Sequence, residues 1–192
     1  MTDTATLADL LSQAEPAHAA VILPEEQSSI DYRSLARQVE ALAATLLRSG
    51  LEPGQVIGIV LPNGLEYLAA FLAVARARLV AAPLNCAYKA EEFTFFLEDA
   101  GARVVIALPG AHPVRDAAAK LGLPVWSADK ETRGQVRLQG EGFAADKGST
   151  LPAPAPGDTA LFLHTSGTTS RPKGVPLTHA NLVASARKER ER

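Results

Sequence analysis

Leu35, Val39, Leu42 and Leu46 recur at spacings of four, three and four, which lays a single apolar stripe along a helix. Gly50 follows that stripe and marks its stop, because glycine adopts the left-handed turn that closes many helices. The pattern then changes period. Residues 56–61 (VIGIVL) are apolar without a break, the mark of a strand covered on both faces. Pro62, Asn63 and Gly64 form a turn, and residues 65–77 predict a second helix. Residues 80–84 predict another covered strand. Residues 90–100 predict a helix with Glu91 and Glu92 in its first turn, where they suit the helix dipole, and Gly101 ends it. Residues 103–108, 111–121 and 125–127 continue as strand, helix and short strand. Near the start, residues 6–14 predict a short helix, and residues 20–23 and 29–32 predict two strands of a hairpin around the turn PEEQ. Alternating strands and helices, with unbroken apolar strands, predict an α/β fold: a layered, mostly parallel sheet with flanking helices.

Residues 139–157 break this rhythm. They hold Gly140, Gly142, Gly148 and Gly157 with Pro152, Pro154 and Pro156, the composition of a linker or long surface loop. The expected organisation is therefore an α/β portion over 1–138, the linker over 139–157, and a strand, loop and helix over 158–192 that belong to the same domain.

Composition narrows the partners. The 192 residues are 47% apolar and 21% charged, with a net charge of −2. That is ordinary globular composition, and the near-neutral balance argues against nucleic acid as the main partner, since such domains usually carry a basic face. No run reaches the roughly 18 apolar residues of a membrane span, and the first residues (MTDTATLADLL) lack the basic start and apolar core of a secretory signal. Cys86 is the single cysteine and is read as a small buried residue, so no disulfide framework is expected. These features fit a reducing, cytoplasmic compartment.

The chemistry concentrates in residues 161–181 (LFLHTSGTTSRPKGVPLTHAN). An apolar lead ending at His164 is followed by Thr165, Ser166, Gly167, Thr168, Thr169 and Ser170, then Arg171, Pro172, Lys173 and Gly174. Hydroxyls and bare backbone N–H groups donate to anionic oxygens, glycine removes the Cβ that would obstruct them, and a lysine adds a mobile point charge. Together they suit a polyphosphate. The common P-loop is excluded, because its spacing G-x-x-x-x-G-K-[ST] is not met and Pro172 stands where the second glycine would be. Pro172 also disfavours a helix at Arg171, so the loop is expected between two extended segments, with a helix beginning at the N-cap residue Thr178. From composition alone, a hydroxyl-rich surface loop that binds nothing remains the competing reading.

The ordered string TSGTTSRPKGV resembles the phosphate-binding signature of the AMP-forming adenylating enzymes, which include acyl-CoA synthetases, luciferases and peptide-synthetase adenylation domains. Ser170 stands where the usual form has glycine. Residues 32–50 resemble the first long helix of that family, 56–71 its next strand, turn and helix, and 80–97 the following strand and helix, with the Pro-Leu-Asn element at Pro83, Leu84 and Asn85. AAPLNCAY together with HTSGTTSRPKGVPLTHANL is most similar to the oxalate–CoA ligase type.

The resemblance implies an ATP-dependent acid–thiol ligase acting in two steps. A carboxylate attacks the α-phosphorus of magnesium ATP, and coenzyme A then displaces AMP to leave a thioester. Thr165, Ser166, Gly167, Thr168, Thr169 and Lys173 would hold the nucleotide phosphates, with Lys173 stabilising the leaving pyrophosphate and Ser170 and Arg171 secondary. The partners implied are a small carboxylic acid and CoA.

The family's chains run to more than twice this length. The resemblance therefore implies that the adenine pocket, the magnesium ligand and the catalytic lysine of the small C-terminal domain lie outside this sequence. Four expectations follow. These are a chain inactive alone, self-association through an unpaired sheet edge, ATP binding no tighter than about millimolar, and a peroxisomal address visible only in a longer form. A remnant without ligase activity, or a nucleotide-binding module, stays open as the alternative.

The remaining polar residues receive plainer readings. His164 is taken as a strand residue packing beside the loop. His18, His112 and His179 are scattered and, with one cysteine, give no metal spacing. Glu91, Glu92, Glu98 and Asp99 read as a solvated helix face, and Arg76 and Arg78 as surface charges. Tyr88, Phe93, Phe95 and Phe96 read as core or edge packing.

Overall fold

The computed structural model describes residues 6–131, 134–140, 152–165 and 172–190. Its elements run α1 (Leu7–Ser12), β1 (Ala19–Leu23), β2 (Ser28–Asp31), α2 (Tyr32–Arg48), β3 (Val56–Val60), α3 (Leu65–Arg76), β4 (Val80–Pro83) and α4 (Ala90–Asp99). They continue with β5 (Ala102–Ala107), α5 (Pro113–Leu121), β6 (Val125–Glu131), β7 (Gln135–Gln139), β8 (Thr159–Thr165), β9 (Lys173–Thr178) and α6 (His179–Arg190). Among the described residues, β1 and β2 form a hairpin, and the other strands form one sheet of order β7-β6-β5-β3-β4-β8-β9. The centre is parallel: β3 pairs with β4 and β5, β4 with β8, and β5 with β6. Both margins are antiparallel, β6 with β7 and β8 with β9.

The unbroken apolar runs occupy the middle of this sheet because both faces are covered. Ile57 and Ile59 of β3, and Val104 and Ile106 of β5, pack with the α2 stripe of Leu35, Val39, Leu42 and Leu46 and with α3. Their neighbours Val60 and Val105 belong to the opposite face, against Phe93 and Leu97 of α4 and Val114 of α5. The alternation is the two-residue period of a strand, filled by apolar groups on both sides. Asp31 caps α2 by accepting the Ser34 N–H at 2.7 Å, and Gly50 follows that helix at φ +84°, the backbone its stop requires.

Three expectations need correction. The strand placed at 125–127 extends to Glu131 and turns into β7, which the sequence reading did not assign. Its alternation buries Val136 and Leu138 and exposes Gln135, Arg137 and Gln139. Gln38 holds it. This buried amide donates to the Gly134 carbonyl and accepts the Val136 N–H, each at 3.0 Å.

Arg76 and Arg78 are more than surface charges. Arg76 pairs with Glu40 at 2.6 Å and donates to the Pro152 carbonyl at 3.0 Å. Arg78, at a left-handed φ of 60°, makes a two-pronged pair with Asp158, Nε to Oδ2 at 2.8 Å and Nη2 to Oδ1 at 3.1 Å. The two arginines thereby tie the described end of the linker to the start of β4. The third correction is Asp99. It stays exposed, as a solvated face requires, but is also bonded to His164.

Candidate functional site

β8 runs parallel to β4, with Ala81 opposite Leu161, so Thr165 ends β8 on the same edge of the sheet where β4 gives way to Leu84 and Asn85. That carboxyl edge is where ligands bind in open α/β sheets. β9 returns antiparallel, pairing His164 with Gly174 and Thr165 with Lys173. The two extended segments expected around the loop are thus the arms of a hairpin. Thr165 and Lys173, the outermost residues of the expected phosphate grip, form its last rung. The Thr165 Oγ1 lies 3.5 Å from the Lys173 carbonyl, the outer limit of a hydrogen bond, and both residues are exposed. Ser166, Gly167, Thr168, Thr169, Ser170 and Arg171 lie outside the described residues.

Beneath this rung the packing is specific. Phe162 and His164 share one face of β8, with ring centroids 5.2 Å apart. The His164 ring is 4.7 Å from that of Phe96 on α4, and its Nε2 donates to Asp99 Oδ2 at 2.9 Å. The side chain is only 7% exposed. Across the ladder, a Cβ on Gly174 would fall 2.2 Å from Cζ of Phe162, so glycine is what lets the ring lie against β9. The reading of His164 as a residue packing beside the loop holds. Its partner carries no local signal, because Asp99 is 65 positions away.

The hairpin is fixed at its other end by α6. Thr178 and Asn181 cap one another: the Asn181 N–H donates to Thr178 Oγ1 at 3.2 Å, and the Thr178 N–H donates to Asn181 Oδ1 at 3.0 Å. Thr178 is therefore the start foreseen for this helix. His179 is fully buried and joins the two ends of the chain, its Nδ1 accepting the Leu7 N–H at 3.2 Å. That bond places the ring proton on Nε2, which is buried toward the Ala75 carbonyl at a geometry too poor for a full hydrogen bond. Burial pushes the imidazole below its ordinary pKa, against the weaker pull of the Asp158 carboxylate, the Ala75 carbonyl and Asp9. Asp158 in turn is held below the usual carboxylate range, chiefly by its bonds from Arg78 and further by the Ala155 N–H, with burial acting in the opposite sense.

The other polar residues divide between caps and clefts. His112 accepts the Val114 N–H at 3.3 Å to cap α5 and turns its Nε2 to the Cys86 carbonyl at 3.1 Å. Asn85 of the Pro-Leu-Asn element closes its own turn on the Ala87 N–H at 2.9 Å. A cleft of about 390 Å³, bordered by Pro53, Val56, Arg78, Asp158 and Phe162, lies at the opposite edge of the sheet from Thr165 and Lys173. Its charged groups, Arg78 and Asp158, are already paired with each other. Among the described residues no group of three His, Cys, Asp or Glu could hold a metal ion, and no helix is long and apolar enough to cross a membrane.

Known proteins agree with this geometry. A family model described as AMP-binding enzyme matches residues 11–191. The chain is 41% identical to a probable CoA ligase, CCL9, of Humulus lupulus, over 96% of this chain and 36% of that protein. It is 42% identical to an oxalate–CoA ligase of Arabidopsis thaliana, over 78% of this chain and 30% of that protein. Its fold matches the crystal structure of ATP-bound MatB from Rhodopseudomonas palustris with a TM-score of 0.75 at 29% identity, over 96% of this chain and 37% of that one. The chain thus spans about a third of the length of the relatives it matches.

Proposed function

The chain belongs to the AMP-binding enzyme family, and on that footing we propose that it supplies the triphosphate-binding part of an ATP-dependent acid–CoA ligase. The observation that carries the proposal is the antiparallel pair at the carboxyl edge of the sheet, whose last rung is Thr165 and Lys173, the residues between them in sequence reading SGTTSRP. In the reaction a carboxylate oxygen attacks the α-phosphorus of ATP. The bond from that phosphorus to the bridging oxygen breaks, and pyrophosphate leaves with its electrons. The thiol of CoA then attacks the acyl carbon, loses its proton and expels AMP.

No protein nucleophile is required in the first step. What the step needs is alignment and neutralisation of the departing charge. Hydroxyls and N–H groups of Thr165, Ser166, Gly167, Thr168 and Thr169 would hold the phosphate oxygens, and Lys173 would neutralise them. Magnesium would arrive on the nucleotide and is assigned no ligand in this chain. Oxalate or a related small acid is the preferred substrate, on the strength of the identity to the oxalate–CoA ligase of Arabidopsis thaliana.

The proposal is tested by titrating the 192-residue chain with magnesium ATP. Saturable binding near or above about 1 mM is expected, and Lys173→Ala should abolish it with the thermal unfolding midpoint unchanged. Equal binding by the variant would overturn the role of Lys173. ATP–pyrophosphate exchange driven by oxalate, in a protein that carries this chain together with the rest of the family's length, tests the substrate; exchange driven only by other acids would overturn it. A nucleotide-binding module without ligase activity would bind ATP in the first assay and show no exchange in the second.

A further inference from the structure

The cluster beneath the last rung of the hairpin has no assigned role in phosphate binding, yet it determines where that rung can stand. β9 is the margin of the sheet among the described residues, and its Lys173 and Gly174 are exposed. Gly174 offers no side chain to hold the ladder, and the Thr165 hydroxyl reaches the Lys173 carbonyl only at 3.5 Å. Among the described residues, the side-chain support added to the backbone ladder at this rung comes from the β8 side.

We propose that His164, oriented by Asp99, is a positioning residue for Lys173: it locks the end of β8 against α4 and so sets where the lysine leaves the sheet edge. The proposal rests on the phosphate-binding reading of Lys173 for its consequence, and on geometry alone for the lock itself. Two sets of contacts restrain the ring. Phe96 and Phe162 pack against it, at centroid distances of 4.7 and 5.2 Å and interplanar angles of 60° and 79°. The 2.9 Å bond to Asp99 Oδ2 restrains its rotation and keeps the proton on Nε2. Phe96 and Asp99 are three positions apart on α4, so one face of that helix provides both contacts. His164 faces Gly174 directly across the ladder, one rung inside Thr165 and Lys173. Release of the ring therefore frees the final rung first.

The competing account is that His164 merely fills space between two phenylalanines. The two accounts separate on substitution. His164→Phe keeps a ring of similar size and loses the donor, whereas His164→Gln keeps a donor at a similar reach and loses the ring. The test uses the 15N-labelled 192-residue chain and its His164→Phe, His164→Gln, Asp99→Ala and Lys173→Ala variants. Each is titrated with magnesium pyrophosphate, followed at the Gly174 amide, and its amide exchange at 173–175 is compared with that at 57–59.

His164→Phe and Asp99→Ala are expected to weaken binding about tenfold, the worth of one charge-assisted hydrogen bond, while His164→Gln stays within about twofold of the parent. Exchange at 173–175 should rise in the first two variants, be restored in His164→Gln, and stay unchanged at 57–59 throughout. Parent-like behaviour of His164→Phe, or a matching rise at 57–59, would overturn the proposal. If pyrophosphate fails to bind even the parent chain, the phosphate reading falls, and the exchange pattern alone still decides whether His164 and Asp99 lock the rung.

Discussion

The layered body and the loop-bearing hairpin are built on different principles. In the body, β3 buries every residue from Ile57 to Val60, and the helices on both faces contribute fully buried side chains such as Leu46 and Phe93. In the hairpin, β8 buries only Ala160 and β9 buries nothing. The hairpin is held by discrete polar bonds: Arg78 to Asp158 at its start, His164 to Asp99 at the rung, and the Leu7 N–H to His179 at its end. On the proposed phosphate-binding role, a surface that presents hydroxyls, N–H groups and a lysine to an anion cannot also be apolar and closed. Its support from the body therefore runs through these bonds together with the β4–β8 pairing and partly buried contacts such as Leu161.

The same substitution in each region gives the sharpest test. Phe93 is 0% exposed, and Phe93→Ala should destabilise the protein by about 3–5 kcal/mol. Phe162 is half-buried, and Phe162→Ala should cost no more than about 2 kcal/mol, since less apolar surface is returned to water. Urea unfolding followed by Trp126, which is 3% exposed and the single tryptophan, measures both. Equal costs would mean that the hairpin is part of the body's core.

A smaller step reverses the logic by adding a group. Gly174→Ala places a methyl on the Phe162 ring, and overpacking of this kind costs about 1–3 kcal/mol. The cost should be local, with ladder amides at 173–175 exchanging faster and amides of β3 unchanged. A uniform rise in exchange across the chain would break the distinction between the two regions.

The two regions also differed in how far they could be read in advance. The body was legible because its elements declare themselves locally: a four-three-four stripe for α2, unbroken apolar runs for β3, β4 and β5, and glycines at the helix ends. The one strand missed there, β7, has a clear alternation in QVRLQ. It lies between a short apolar strand and the glycine-rich segment, and it depends on Gln38, a polar residue on an otherwise apolar helix face. In the hairpin the motif stood out by composition and order, whereas its supports did not. Arg78 and Asp158 are 80 positions apart, Asp99 and His164 are 65 apart, and Leu7 and His179 are 172 apart. Charged and histidine side chains look alike in sequence whether they face water or each other. Only packing separates the two cases.

The cap of α6 offers a milder probe of the hairpin's far end. Thr178→Ala removes the acceptor of the Asn181 N–H and should cost about 1 kcal/mol. Thermal unfolding measures the loss. Thr178→Ser, which keeps the hydroxyl, should restore most of it, and failure to do so would assign the effect to the lost methyl.

The gentlest expected effect is a slope with pH. His179 has its pKa lowered in the folded chain, because burial disfavours its charged form more than Asp158, the Ala75 carbonyl and Asp9 favour it. The unfolded chain takes up a proton near the ordinary histidine value of 6.5 that the folded chain resists. Stability is therefore flat above that value and declines as the pH falls below it. Asp158 is also lowered, chiefly by Arg78, so its contribution is present above 3.8 and is lost only as the pH falls further, through its depressed value. The His179 window opens at 6.5 and the Asp158 window only at 3.8, so measurements above pH 5 read His179 without Asp158. His179→Asn retains an acceptor for the Leu7 N–H and has no proton to gain. Urea midpoints measured from pH 7.5 to 5 should decline for the parent chain and stay level for this variant. A parallel decline in both would shift the acid sensitivity to other groups and remove His179 as the pH-sensitive bond between α1 and the hairpin.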